Sequence, residues 1–341
     1  MARVTVMGGG VFGLAVAFEC ARRGASVQVI ERDRIGAGAS GGIVGALAPH
    51  VPAPWNAKKA FQLDSLVMAG EFWAQAARLS GVDPGHARIG RVQPLADERA
   101  VAAARERGEA ARAHWPDWAR WTVTDAPGWA VASPTGLFAH DTLSARIHPR
   151  GALRALAGAL RALGAEVIEG REAPRQGAVV WATGAAGLAA LSAGRGRAVG
   201  APAKGQALLL DLDARAAPQL HADGLHIVPH ADGTTAIGST SERDFDDPAA
   251  TDAQLDAVHA RAVAACPALA GAPVIERWAG LRPRARSRAP MLGRLPDGDY
   301  VANGGFKIGF GMAPKAAEVM ADLILEGRDA IPEGFRFEDN L

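Results

Sequence analysis

The sequence has 341 residues, 37 Lys and Arg against 36 Asp and Glu, a net charge of +1 and 49% hydrophobic residues. That length accommodates two domains of about 150 residues each, with sizeable buried cores. A charged fraction of 21% with balanced signs excludes a disordered chain and gives little footing for a dedicated nucleic-acid binder, which leaves a small-molecule protein.

In chain order, Arg3 to Met7 reads as a short strand, Gly8 to Gly13 as a glycine turn, Leu14 to Arg23 as a helix stopped by Gly24, and Ser26 to Ile30 as a second strand ending at Glu31. Parallel strands joined by a helix need a right-handed crossover, so a βαβ unit at the start of an α/β domain is expected. Residues 35–49 are rich in Gly and Ala and suit backbone pressed against a ligand. Lys58 to Ser80 is expected as an amphipathic helix packing on a core through Phe61, Leu66, Phe72 and Trp73. Glu98 to Arg112 reads as a solvated helix leading into three Trp between His114 and Trp121, a cluster more suited to packing than to a substrate. Pro149 to Leu163 is a helix ended by Gly164, Ala165 to Glu169 a strand, and residues 177–184 a buried strand with a glycine turn. Residues 207–212, 224–229 and 234–239 read as antiparallel strands with a helix over 252–266. A strand at 300–303, a glycine loop and a helix from about Pro314 to Leu325 close the chain.

Cys20 and Cys266 lie far apart with no CxxC or Cys/His spacing, so neither a disulfide framework nor any metal site is expected, and two isolated thiols fit a cytoplasmic protein. Arg3, Glu19 and Arg22 break the N-terminal apolar segment, and no run of about 20 apolar residues follows, so no secretion signal and no membrane association are predicted.

The chemistry begins with G-x-G-x-x-G at Gly8, Gly10 and Gly13. The first glycine permits the tight turn, the second lets a pyrophosphate approach the backbone, and the third lets helix and strand pack closely. Exposed N–H groups and the helix dipole hold the phosphate. Glu31 stands at the end of the second strand, where a carboxylate accepts bonds from ribose hydroxyls and repels a 2′-phosphate. The ligand read from these residues is FAD or NAD.

The sequence resembles the D-amino-acid oxidase and glycine oxidase family of FAD-dependent oxidoreductases. Four stretches carry the likeness: VMGGGVFGLAVAFECARRGASVQVIERD at 6–33, GASGGIVGALAP at 38–49, WAGLRPRARSRAPMLG at 278–293 and NGGFKIGFGMAPKAAEVMADLI at 303–324. APAKGQ at 201–206 and GLHIVP at 224–229 resemble the family's turn into the substrate sheet and a strand facing the flavin. The resemblance implies a Rossmann-like FAD-binding domain from residues 1–82, 141–200 and 280–341, interleaved with an antiparallel sheet-and-helix substrate domain from 83–140 and 201–279.

By this resemblance Val11, Phe12, Glu31, Arg32, Ala39 and Ser40 contact the adenosine and pyrophosphate of FAD, with Leu47, Thr183 and Gly184 closing over it. Gly305, Lys307, Ile308, Gly309, Phe310 and Gly311 form a loop and helix start facing the flavin, where N–H donors and a positive dipole meet the charge of reduced flavin. Arg282 in GLRP is implied as a bidentate clamp for the substrate carboxylate. His226 takes the place of an aromatic active-site residue, as a hydrogen-bond partner or modest base; Lys307 supplies a second positive charge, and His50 lines the cavity opposite the flavin. Lys204 resembles a family cation at the start of the substrate sheet, and Arg284, Arg286 and Arg288 read as a solvated turn. One tyrosine, Tyr300, leaves no substrate-binding tyrosine pair.

The implied activity is oxidation of a small amino acid or N-substituted glycine, with hydride passing from Cα to flavin N5, the imine hydrolysing to an oxo acid, and dioxygen as acceptor giving hydrogen peroxide. Two other readings stay open. One is an oxidase acting on carboxymethylaminomethyl-modified wobble uridine of tRNA, which the residues favour less because nucleic acid is not an expected partner. The other is a flavoprotein without turnover.

Overall fold

The structure is a computed structural model and describes residues 2–341. Two large sheets organise it. The first has six strands in the order Met291–Arg294, Tyr300–Asn303, Ala178–Trp181, Arg3–Met7, Ser26–Glu31 and Glu166–Glu169, all parallel to their neighbours except Met291–Arg294. The central strands Arg3–Met7 and Ser26–Glu31 are buried through most of their length, and their β-branched residues suit a sheet covered on both faces. Helices Val11–Arg22, Ala57–Ser80, Pro149–Ala162 and Gly309–Ala321 bury their apolar sides in the same core.

The second sheet has eight strands in the order Val274–Ala285, Gly200–Leu210, Thr235–Gly238, Leu225–Pro229, Gln219–Ala222, Arg91–Pro94, Phe138–Asp141 and Trp121–Thr124. Helix Ala253–Ala265 covers one face through Leu255, Val258 and Ala262 against Leu208, Leu210, Ile227 and Ile237. The opposite face, reached by alternation along each strand, carries Ala207, Leu209 and Ala236 with Trp278 and Ile43. Ile43 comes from the Gly-rich stretch of the dinucleotide domain, so this face meets the first sheet's unit. The structure is thus the expected α/β arrangement, a Rossmann-like sheet unit interleaved with a second sheet and helix, and that sheet is antiparallel except where Gln219–Ala222 pairs in parallel with Arg91–Pro94.

Several elements differ in extent from expectation. The first helix begins at Val11, absorbing half of the glycine turn. The last begins at Gly309, so Pro314 sits inside it rather than in its first turn and removes one early backbone bond. The strand Val274–Ala285 is twelve residues long and was hidden by Gly280, Pro283 and its arginines; as an edge strand it accommodates a proline. It runs past residue 280, the expected domain boundary, and carries Arg282 on the second sheet. In the Trp cluster, Trp115 and Trp121 are buried edge to face at 6.2 Å, while Trp118 is exposed under Arg88.

Candidate active site

The glycine turn is built by close approach. Gly8 has φ +113°, and a Cβ there would fall 2.5 Å from the Ala182 carbonyl oxygen; at Gly13 it would fall 2.1 Å from the Gly8 oxygen, which is the tight helix–strand contact. Glu31 accepts from the Gly9 N–H at 2.7 Å and the Asp33 N–H at 2.9 Å, fixing its carboxylate beside the turn. Ser40 Oγ accepts from the Val11 N–H at 3.0 Å, tying the Gly-rich stretch to the helix start. Leu14 is the first residue of that helix to find a helical carbonyl, at 2.9 Å from Gly10, so the first-turn N–H groups point outward.

These groups line a cavity of about 670 Å³ that runs from Glu31 and Arg32, past Gly10, Ala39 and Ser40, to Trp278, Arg282 and Gly305. It joins the Glu31 carboxylate, a helix N-terminus and the face of the second sheet in one trough. An extended dinucleotide with its adenosine at Glu31 and its flavin toward Gly305 fits these residues. Among the described residues no three His, Cys, Asp or Glu side chains are grouped to hold a metal ion.

Arg282 lies on the second sheet at the far end of the trough. It is buried, and its Nη1 donates to the Thr240 carbonyl oxygen at 3.2 Å. Gly205 faces it on the neighbouring strand, and a Cβ there would fall 1.6 Å from Nη1. Burial pushes the guanidinium down to about 10, opposed by Glu242. Glu242 belongs to a buried group behind the site: Gln206 Nε2 donates to it at 3.0 Å and to Asp252 at 2.9 Å, and Lys204 Nζ lies 3.6 Å from it. Gly205 pairs with Gly280; Lys204 is one residue from the first and Arg282 two from the second, so Lys204 turns away from the face that carries Arg282 and serves this ion group rather than the flavin.

His226 packs against His221 with ring centroids 4.7 Å apart and planes tilted by 51°. Burial pushes His226 down to about 3, with His221, Arg91 and Lys307 adding to the shift, so it is neutral across the physiological range and a feeble base. Arg91 donates to Asp141 at 3.0 Å in a buried pair beside both histidines. His50 contacts Gln62, which also accepts from the His50 N–H at 2.7 Å, and desolvation lowers its pKa.

The trough accounts for most candidate residues. It is lined by Gly8, Gly10, Val11, Phe12, Glu31, Arg32, Ala39, Ser40, Thr183, Gly184, Gly305, Lys307, Gly309, Phe310 and Arg282. Gly13 contributes packing instead. Leu47 is fully buried in the core, because its strand pairs with Ala145 and Arg146 away from the trough. Gly311 packs toward Leu66. His50 and Ile308 line a separate cavity of about 350 Å³ with Lys58, Arg284, Arg288, Phe306 and Lys307, which shares the Gly304–Lys307 wall with the trough. Arg284 and Arg288 therefore border a cavity rather than an open turn, while Arg286 reaches the Asn340 carbonyl at 3.3 Å. Sequence reasoning missed Trp278, which rests against Gly42 and Gly280, and Arg91, whose neighbours come from distant strands. The WAG preceding GLRP was the available signal for Trp278.

A dinucleotide-type sheet whose trough ends against a second, largely antiparallel sheet is the arrangement of an FAD-dependent oxidoreductase. The chain belongs to the DAO family of FAD-dependent oxidoreductases, whose profile matches residues 3–323. It is similar to the glycine oxidase of Pseudomonas putida, 30% identical with 94% of each chain covered, and to that of Pseudomonas aeruginosa, 28% identical with 96% of each covered. In fold it resembles the crystal structure of glycine oxidase from Geobacillus kaustophilus, with a TM-score of 0.85 over 99% of each chain at 23% identity. No helix of the described residues is long and apolar enough to cross a membrane.

Proposed function

We propose that this enzyme is an oxidase of a small amino acid or N-substituted glycine. The observation that carries this reading is Arg282: a desolvated guanidinium at the inner end of the trough, anchored by one carbonyl and by none of the carboxylates in direct contact. A buried cation of this kind is completed by an anionic ligand, and a carboxylate accepts its planar fork through two parallel bonds. FAD, when bound, supplies the two-electron acceptor. Arg282 orients the substrate carboxylate and so fixes the adjacent carbon. Trp278 and the apolar face around Ile43 and Ala207 exclude water, and His226, expected in the active site, lines neither cavity but stands neutral on the same sheet face as Ala207. Hydride transfer from a neutral amine needs no strong base, which agrees with a site whose histidine is held unprotonated. An oxo acid and hydrogen peroxide are the products of this reading, with dioxygen as acceptor and the cytoplasm as location. The glycine oxidase relatives support the substrate class.

The test is the visible spectrum of the purified holoenzyme followed anaerobically as glycine, sarcosine, D-alanine, D-proline and larger N-substituted glycines are added in turn. Bleaching by one of them, with peroxide formed on readmitting air, is the expected result. A flavin that none of them reduces would count against the oxidase reading.

A further inference from the structure

We propose that the substrate carries two acid groups, one held by Arg282 and the second by a cationic subsite of Lys58, Arg284, Arg288 and Lys307 at the trough's edge. The inference rests on the oxidase reading above and narrows its substrate to amines bearing a second carboxylate or phosphate.

The cavity of about 350 Å³ that these four side chains line contains no Asp or Glu, and its remaining polar side chain is His50. None of the four cations forms an ion pair with a carboxylate among the described residues. Some basic groups elsewhere are neutralised by carboxylates, as at Arg150 with Glu276 and Arg23 with Glu19 and Asp322. Four like charges gathered without a counter-ion repel one another, and an anion between them removes that cost. Desolvation and the charge of Arg288 lower the pKa of Lys58, while desolvation and Arg282 lower that of Lys307. Lys307 also lines the trough with Arg282, so the subsite and the inner guanidinium are neighbours.

The backbone is shaped for this purpose. Three non-glycine residues have positive φ, and two of them line this cavity: Arg288 at +64° and Phe306 at +46°. Such conformations cost free energy and collect at ligand sites. Phe306 sits beneath two of the cations, with Arg284 Cζ 5.5 Å and Lys307 Nζ 5.7 Å from its ring centroid. Lys58 contacts the Arg288 carbonyl oxygen. Lys58 and Lys59 also stand in the first turn of helix Ala57–Ser80, which has no acidic residue there, although the helix dipole disfavours cations at that end. An anion in the cavity reconciles the placement. Lys307 lines both cavities, and Arg282 and Arg284 stand two residues apart on one face of the same strand, which sets the subsite beside the inner guanidinium.

The experiment separates binding from turnover. Holoenzyme is titrated with thiodiacetate, a dicarboxylate without an amine, and with (methylthio)acetate, the comparable monoacid, reading the shift of the flavin spectrum. The expected result is at least tenfold tighter binding of thiodiacetate, a preference that weakens with added salt. Arg284→Gln and Arg288→Gly are each expected to cut the preference severalfold; the second substitution also suits the positive φ, so it folds. Equal affinities, no spectral shift by either acid, or a preference untouched by both substitutions would overturn the subsite. Turnover then identifies the second group: kcat/KM for iminodiacetate and D-glutamate against sarcosine reports a carboxylate, and for D-phosphoserine a phosphate. If no amine reduces the flavin while thiodiacetate is still preferred, the oxidase reading fails and the anion subsite stands.

Discussion

The guanidinium of Arg282 lies across the Cα of Gly205 on the adjacent strand, in a space that a Cβ would fill at 1.6 Å from Nη1 and 2.0 Å from Cζ. Gly205 is therefore the seat of the cation proposed to hold the substrate, though its own backbone is an ordinary paired strand. Gly205→Ala is expected to displace Arg282 while leaving the trough near Glu31 intact. A misplacement of about 1 Å in a positioning group costs about a hundredfold in rate. The measurement is kcat/KM alongside FAD content: a large fall in the first at unchanged flavin occupancy is expected, and a variant with normal kcat/KM would contradict the seat.

At the other end of the trough, Glu31 holds the turn and lines the cavity, where it is proposed to receive the adenosine ribose. Glu31→Gln keeps the shape and one acceptor oxygen but loses the charge. Hydrogen bonds to charged groups contribute about 1.5–3 kcal/mol. Titration of the flavin-free protein with FAD should show a Kd raised at least about tenfold, with kcat of the flavin-saturated variant little changed.

The dinucleotide half of the molecule was legible because its determinants are local. Gly8, Gly10, Gly13 and Glu31 lie within one βαβ unit, and each is dictated by a steric or electrostatic need that spacing alone expresses. The substrate half was less so. Val274–Ala285 lacks alternation because its two faces meet a tryptophan-lined trough and an ion group, and its one glycine, Gly280, clears room for Trp278 of the same strand. The Arg284 to Arg288 run read as solvated turn because nothing local shows that Lys58, more than two hundred residues away, and Phe306 close a cavity against it. Lys204 read as a possible active-site cation because the pleat decides its direction, and the register with Val274–Ala285 is not written in the segment itself.

Arg91 and Asp141 form the buried ion pair beneath the histidines, at 3.0 Å, with Asp141 Oδ1 also accepting from the Ser144 N–H at 2.7 Å. Removing one partner leaves a buried charge uncompensated, which costs about 3–5 kcal/mol. Asp141→Asn should lower the urea midpoint accordingly at unchanged slope. A midpoint within about 0.5 kcal/mol of the parent would show that solvent reaches Arg91 and replaces its partner.

The histidines set the protein's response to acid. Burial is the largest cause of low values at four of them: about 4 for His86, His221 and His230, and about 3 for His226, against 6.5 when unfolded. Each is neutral in the folded chain at pH 5–6.5, where the unfolded chain binds a proton. The unfolded state then holds more protons, so stability rises with pH in this window and is lost as pH falls from about 6.5 toward the folded values. The slope is at most about 1.4 kcal/mol per pH unit for each histidine. Denaturant unfolding of the holoenzyme at pH 7.5, 6.0 and 5.0 should therefore give falling stability, and His221→Gln should flatten the fall. Most of the carboxylates that ion pairs or hydrogen bonds hold below their ordinary range, such as Asp329 and Asp252, titrate lower still and leave the window to the histidines. Stability that stays level or increases between pH 7.5 and 5.0 would mean that these rings are protonated in the folded chain and that the site around His226 is wetter than its packing indicates.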